Sequence, residues 1–243
     1  MNYDDIKKIF EEDINELKHN TAIFEVNNYV LNLGDGKKYK YKVLYLMDAD
    51  LGDFTDENNG RNIKYSMVVC GKDCITKDFN EVYIVVGQNP SYSTSKNIDK
   101  TNQSVYKALI NNKIDSYLLL NTFPIINADG ANAPDSLKVL ENIDIAKNII
   151  KKLKERGLKV SIVYACGASL PVYAKFIDEI TALVNKFGIS TYAFENGKEL
   201  VSHMSMQYIN SKSLDYKNFK LVPYKVQTEL QKDFKKAIFK KGL

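Results

Sequence analysis

Between residues 81 and 196, short apolar runs alternate with longer amphipathic ones, and that rhythm narrows the folds open to the chain. EVYIVVG, SYLLLNTFP, KVSIVYACG and STYAFEN have the length and continuous apolarity of strands buried on both faces. Between them, TNQSVYKALINNK, SLKVLENIDIAKNIIKKLKERG and LPVYAKFIDEITALVNKFG carry a helical pattern, the second closed by Gly157. Strands alternating with helices predict a parallel sheet covered on both sides. The expected class is α/β, a three-layer α/β/α architecture with a central, mainly parallel sheet.

The flanks read differently. Ile6, Ile9, Phe10, Ile14 and Leu17 form a helical stripe over about 4–19, with Asp4 as the expected N-cap. Two strands around Gly34-Asp35-Gly36 predict a hairpin, and YSMVVC a further strand. DADLGDFTDENNG is acidic and turn-rich. Asp53 stands near where a calcium loop needs glycine, and the closing glutamate is displaced, so a solvated loop is expected. In the tail, Val226, Leu230, Phe234 and Ile238 share one helical face among lysines. With neither repeat nor low-complexity linker, 1–243 reads as one domain. Within it, 1–79 is a helix and hairpin packed on the sheet's edge, 80–210 the core, and 211–243 a basic tail with a helix.

Composition excludes several classes. Hydrophobic residues make up 44% and charged ones 26%, as in ordinary globular proteins. No apolar run approaches the roughly 18 residues of a membrane span. The charged, helical start is not a secretory signal. Three cysteines, Cys70, Cys74 and Cys166, build no disulfide framework and fall short of a four-thiolate metal site. A reduced, cytoplasmic setting is expected. The net charge of +4 permits contact with a polyanion without requiring it. Lysines crowd two segments, Lys151, Lys152, Lys154, Arg156 and Lys159 in the middle and Lys232, Lys235, Lys236, Lys240 and Lys241 in the tail. Such runs are solvated faces unless they line a crevice, where they meet phosphates.

In an open α/β sheet the crevice lies beyond the carboxyl ends of the strands. Three such ends carry polar or turn residues: Gly87-Gln88-Asn89-Pro90, Asn121-Thr122-Phe123-Pro124 and Cys166-Gly167-Ala168-Ser169. Each also has a plain structural reading. Glycine and Asn-Pro are common turn formers, Asn121 suits a core amide bonding a neighbouring loop, and Gly167 suits a tight turn. His203, one of two histidines, suits a structural role equally well.

Taken in order, the motifs resemble a known family. GQNPSYS resembles the first motif of the uracil-DNA glycosylase superfamily, written Gly-Gln-Asp-Pro-Tyr-His in one branch and Gly-Ile-Asn-Pro-Gly in the mismatch-specific branch. YLLLNTFP is similar to the strand whose asparagine reads the base, and VSIVYACGAS to a further superfamily strand. VSHMSMQY stands where the superfamily carries His-Pro-Ser-Pro-Leu-Ser. The match covers about residues 80–210. Strand–Asn-Pro-Ser, Asp99-Lys100-Thr101 and Asn-x-Phe-Pro also resemble an uncharacterised bacterial and phage family.

The resemblance implies a DNA glycosylase that extrudes a pyrimidine and hydrolyses its N-glycosidic bond, with DNA as partner and neither cofactor nor metal. It casts Asn89 as holder of the attacking water and His203 as donor to the base oxygen where negative charge develops. Gly87, Gln88, Ser91, Tyr92 and Asn121 would line the base site, and Met206 and Gln207 would fill the gap in the stack. Asn121 carries the acceptor and donor that reading a pyrimidine edge requires. Ser91 replaces a tyrosine that excludes C5 substituents, leaving room for thymine-like or 5-modified bases. Asn89 cannot take a proton, so the chemistry would be slow and electrostatic. The competing reading is a glycosylase-like domain that binds a nucleotide or nucleic acid without cutting. A third, Cys166 as nucleophile with His203 as base, lacks a local partner to orient the histidine. Repair, phage defence and counter-defence follow by analogy alone.

Overall fold

The computed structural model describes residues 2–32, 38–48, 64–71, 81–88, 100–124, 136–166, 171–197, 199–201, 204 and 214–224. Along the chain run α1 (Tyr3–Leu17), β1 (Thr21–Asn32), β2 (Lys38–Asp48), β3 (Lys64–Gly71), β4 (Glu81–Gly87), α2 (Lys100–Asn111) and β5 (Ser116–Asn121). There follow α3 (Ser136–Glu155), β6 (Lys159–Tyr164), α4 (Pro171–Phe187), β7 (Ser190–Asn196), β8 (Glu199–Val201), a 3-10 turn at Tyr216–Asn218, and β9 (Phe219–Pro223).

The strands form one mixed sheet ordered β1-β2-β3-β5-β4-β6-β7, with β8 and β9 both on β7. Its centre, β5-β4-β6-β7, is parallel. The other pairings are antiparallel, so the expectation of a mainly parallel sheet holds for the centre only. β3 does not pair with its chain neighbour β4, because β5 lies between them.

The N-terminal segment is part of this sheet rather than something laid against its edge. β1 and β2 pair antiparallel, and β2 continues through β3 onto β5. α1 lies over the sheet's face, with Tyr3, Ile6, Ile9 and Phe10 buried in the same cluster as Leu44, Val68 and Leu118. Asn2, not Asp4, caps it. The Asn2 side-chain oxygen accepts from the Asp5 amide at 3.2 Å, and the Asp5 carboxylate accepts from the Asn2 amide at 2.9 Å. That reciprocal pair serves two amides a helix start leaves bare; Asp4 is already inside the first turn.

α1 meets α3 through a polar seam. Asn148 Nδ2 donates to the Asp13 carboxylate at 2.6 Å, and Lys152 pairs with Glu12 and Glu16 at 3.4 and 2.5 Å. Arg156 reaches Glu12 at 2.5 Å. Asp13 is only 1% exposed, and burial raises its carboxyl from 3.8 to about 7 against the opposing pull of Asn148 and Lys152.

Two apolar layers sandwich the sheet. On one face α1, α3 and α4 pack on Val86, Leu118, Leu120 and Ile162. On the other α2 packs on Val85, Leu119 and Val163, joined by Phe194, Val201, Met204 and Phe219. β9 was not anticipated from the sequence. It is tied to α2 by Asn112, whose amide nitrogen donates to Ala108 O at 2.8 Å and Phe219 O at 3.0 Å while its oxygen accepts from Leu221 N at 3.0 Å. The C-terminal helix read from Val226, Leu230, Phe234 and Ile238, the Gly34-Asp35-Gly36 turn and the acidic stretch around Asp53 lie outside the described residues.

This connectivity fixes where a site can form. β4 leaves the sheet toward α2 on one face, whereas β5 and β6, on either side of it, leave toward α3 and α4 on the other. Chains that part to opposite faces open a crevice between the strand ends.

Candidate functional site

The crevice is bounded by three of the strand exits singled out in the sequence. Parallel register sets Gly87 beside Asn121, and Ala165 N donates to Val86 O at 2.9 Å on the other flank. Cys166 follows at once. A fourth piece of chain arrives from above. Phe194, Glu195 and Asn196 of β7 pair with both β8 and β9, so these two strands lie on opposite sides of β7. β9 also shares Tyr192 and Ala193 with β6, which leaves β8 on the β6 side. β8 therefore occupies the lane of β6 beyond its carboxyl end, running back toward it. Val201 lies opposite Phe194, one step past the Ala193–Tyr164 pair.

The β4 and β5 exits are stitched together. Thr122 N donates to Gly87 O at 2.9 Å, Phe123 N to Gln88 O at 3.0 Å, and Thr122 Oγ1 to Gln88 O at 2.7 Å. From the helix side, Asn142 Nδ2 donates to Asn121 O at 2.9 Å. In a regular strand successive carbonyls alternate sides. Val86 O faces β6, Gly87 O faces β5, and Gln88 O faces β5 again, so the chain turns out of the sheet at Gln88.

Gly87 is required here by space, not by dihedral. A Cβ built on it would stand 2.7 Å from Asn121 Oδ1 and 3.4 Å from Leu119 Cδ1. The Asn121 carboxamide thus lies against the bare Cα of Gly87, on the α2 side of the sheet. Asn121, Thr122 and Asn142 are all buried, at 2%, 1% and 1% exposure, as is Phe123. Such burial suits the Thr122 hydroxyl and the Asn142 amide, which have fixed partners, since an unpaired buried group costs about 1–3 kcal/mol.

Of the residues chosen from the sequence, Gly87, Gln88 and Asn121 meet at this point. Asn89, Ser91, Tyr92, His203, Met206 and Gln207 lie outside the described residues, as do the Asp99 of the second resemblance and Gly167. On either side of His203, Val201 and Met204 are both buried in the cluster that holds Val163 and Ala165. Cys166 is buried too, and burial pushes its thiol up to about 12, which removes the thiolate that a nucleophile needs. That burial weighs against the Cys166 alternative.

The middle lysine-rich segment is at the wrong end. α3 starts beyond the carboxyl end of β5 and finishes at the amino end of β6, so Lys152, Lys154, Arg156 and Lys159 sit away from the crevice. Several are engaged: Lys152 and Arg156 with α1, Lys159 with Glu81 at 3.0 Å, and Lys154 with Leu158 O at 3.2 Å. The tail lysines lie outside the described residues. Among the described residues no group of three or more His, Cys, Asp or Glu side chains could hold a metal ion, and no helix is long and apolar enough to cross a membrane.

Two site residues were given no role from the sequence. Thr122 was visible only as part of a strand exit. Asn142 had a readable signal: it shares the buried helical face of Val139, Ile143 and Ala146, where an apolar residue is expected. No family model matches the chain, nor does any curated protein or solved structure.

Proposed function

We propose that this crevice receives a pyrimidine turned out of DNA and that the protein hydrolyses the base's N-glycosidic bond, on a fold of the uracil-DNA glycosylase type. The observation that carries the reading is the meeting of the Gly87–Gln88, Asn121 and Cys166 strand exits at the switch point of the sheet, with β8 aimed at the same place. Asn121 reads the base edge from a seat that exists because Gly87 has no side chain. Asn89 holds the water, and His203, two residues past Val201, donates to the departing base. Ser91 leaves space at C5, Tyr92 helps line the base site, and Met206 with Gln207 fills the vacated stack. Fixed donors facing charge that develops only in the transition state lower the barrier without any protein group accepting a proton.

The test is an abasic-site assay on oligonucleotides bearing uracil, mismatched thymine or 5-modified pyrimidines. Base release that disappears in Asn121→Ala, Asn89→Ala and His203→Ala is the expected result. A second reading follows from Asn89 itself, an amide where one branch of the resembled superfamily carries an acid: the protein binds a nucleotide or nucleic acid and does not cut it. Tight binding with no strand lability on any substrate selects that reading and refutes the enzyme.

A further inference from the structure

We infer that Asn142 is a positioning residue for base recognition: it holds the Asn121–Thr122 peptide so that the Asn121 carboxamide keeps one orientation. The inference rests on the proposal that Asn121 reads a base. A trans peptide carries its C=O and N–H on opposite sides of one rigid plane. Here both ends of a single plane are held. Asn121 O accepts from Asn142 Nδ2 at 2.9 Å, and Thr122 N donates to Gly87 O at 2.9 Å. With the plane fixed at both ends, rotation about the Asn121 backbone is arrested, and so is the direction of its Cα–Cβ bond.

The helix side of this grip does not come from ordinary strand pairing. Asn121 is the last residue of β5, and the donor to its carbonyl is a side chain from α3, 1% exposed among apolar neighbours. A leucine at 142 would suit that helical face, yet the chain places an amide there. The neighbouring contact makes small rotations costly. Asn121 Oδ1 already lies against Gly87, and turning the peptide moves that oxygen into the Gly87 backbone or off this seat. A base reader that distinguishes a donor edge from an acceptor edge needs its own donor and acceptor held apart in known places. Misplacement of about 1 Å from a site remote to the chemistry costs on the order of 10²-fold.

The experiment measures selectivity, not activity alone. Single-stranded oligonucleotides carrying one uracil, one thymine or one cytosine are bound by wild type, Asn142→Leu and Asn142→Asp, with folding checked by thermal melting. Wild type is expected to prefer some of these bases. Asn142→Leu should lose that preference by roughly tenfold to a hundredfold while still binding the strand. Asn142→Asp should lose it at high pH, once its buried carboxyl ionises and a carboxylate faces the Asn121 carbonyl. It should regain the preference as the pH falls and the protonated acid donates again, measured against wild type at each pH. Should Asn142→Leu fail to fold, the Asp variant carries the test. Selectivity kept in both variants overturns the inference and leaves the base-reading proposal standing, and a loss in Asp that protonation does not restore marks Asn142 as structural only and also overturns it. Wild type indifferent to the base overturns base reading and this inference together.

Discussion

Gly87→Ala is the substitution in which packing and recognition make separable demands. The added methyl would sit 2.7 Å from Asn121 Oδ1, closer than real Cβ contacts come, and at an ordinary 3.4 Å from Leu119 Cδ1. Because Asn121 is 2% exposed, its oxygen must retreat by roughly half an ångström into a packed surround. Overpacking of this kind costs about 1–3 kcal/mol. Alanine also restricts the unfolded chain, which returns about 0.4–1 kcal/mol where no left-handed backbone is demanded, as at Gly87. Overpacking wins, and the net loss should be about 1–2 kcal/mol, readable by urea unfolding. The base site should suffer far more, on the order of 10²-fold in release or selective binding, because the displaced group is the proposed reader. A double-mutant cycle isolates the cause. In an Asn121→Ala background the opposing oxygen is gone, so adding Gly87→Ala should keep only the unfolded-chain gain of about 0.4–1 kcal/mol, and the coupling should equal the overpacking cost of about 1–3 kcal/mol. Equal costs in both backgrounds would refute the contact as the reason for glycine.

Asp13→Asn should stabilise the protein at neutral and higher pH. The carboxyl's folded value, about 7, lies above its unfolded 3.8, so its contribution is complete below 3.8 and is lost as pH rises through 7. Wild type should lose at most about 4 kcal/mol relative to the variant between pH 4 and 8, and parallel urea-unfolding curves at both pH values would contradict the buried acid. Cys166→Ala should leave base release intact, and in a Cys70→Ala/Cys74→Ser background the Cys166 thiol should react with maleimide only on unfolding; prompt labelling of that native variant would contradict its burial. Asn112→Ala removes the donor to Phe219 O and the acceptor from Leu221 N that reach β9, together with the tie back to Ala108 O in α2, at a cost of about 2 kcal/mol. Hydrogen exchange at Leu221 should accelerate first, and unchanged protection there would assign β9's hold to β7 alone.

The parts of the fold legible in the sequence are those written in local pattern. The stripes of α1, α3 and α4 and the apolar runs of β3 to β7 are periodicities any reader can count. The cap on α1 was also written locally, since Asn2 and Asp5 stand three apart, but Asp4 competes for notice. What local pattern cannot carry is lateral order. Nothing in YSMVVC says that its neighbour is SYLLLN rather than the next strand along. β9 was missed because FKLVP is short and half-buried, and its anchor, Asn112, is 107 residues away. At the site, Asn121 and Gly87 were legible as strand-end residues. Their dependence on Thr122 and Asn142 was not, because it arises only once β4, β5 and α3 share a corner.

The insertion of β5 between β3 and β4 also sets a schedule for synthesis. A chain emerging from the ribosome can zip β1, β2 and β3 in order, yet β4, which comes next, has no partner until β5 is made and slots in from beyond it. The second flank of β4 waits longer, for β6 and the helix that precedes it. Pairing across such sequence separations is slow, and an uncovered apolar strand is exposed meanwhile. One flank of the strand bearing Gly87 thus stays open through some seventy residues of further translation, from Gly87 to Lys159, an interval in which a chaperone has an uncovered apolar strand to act on.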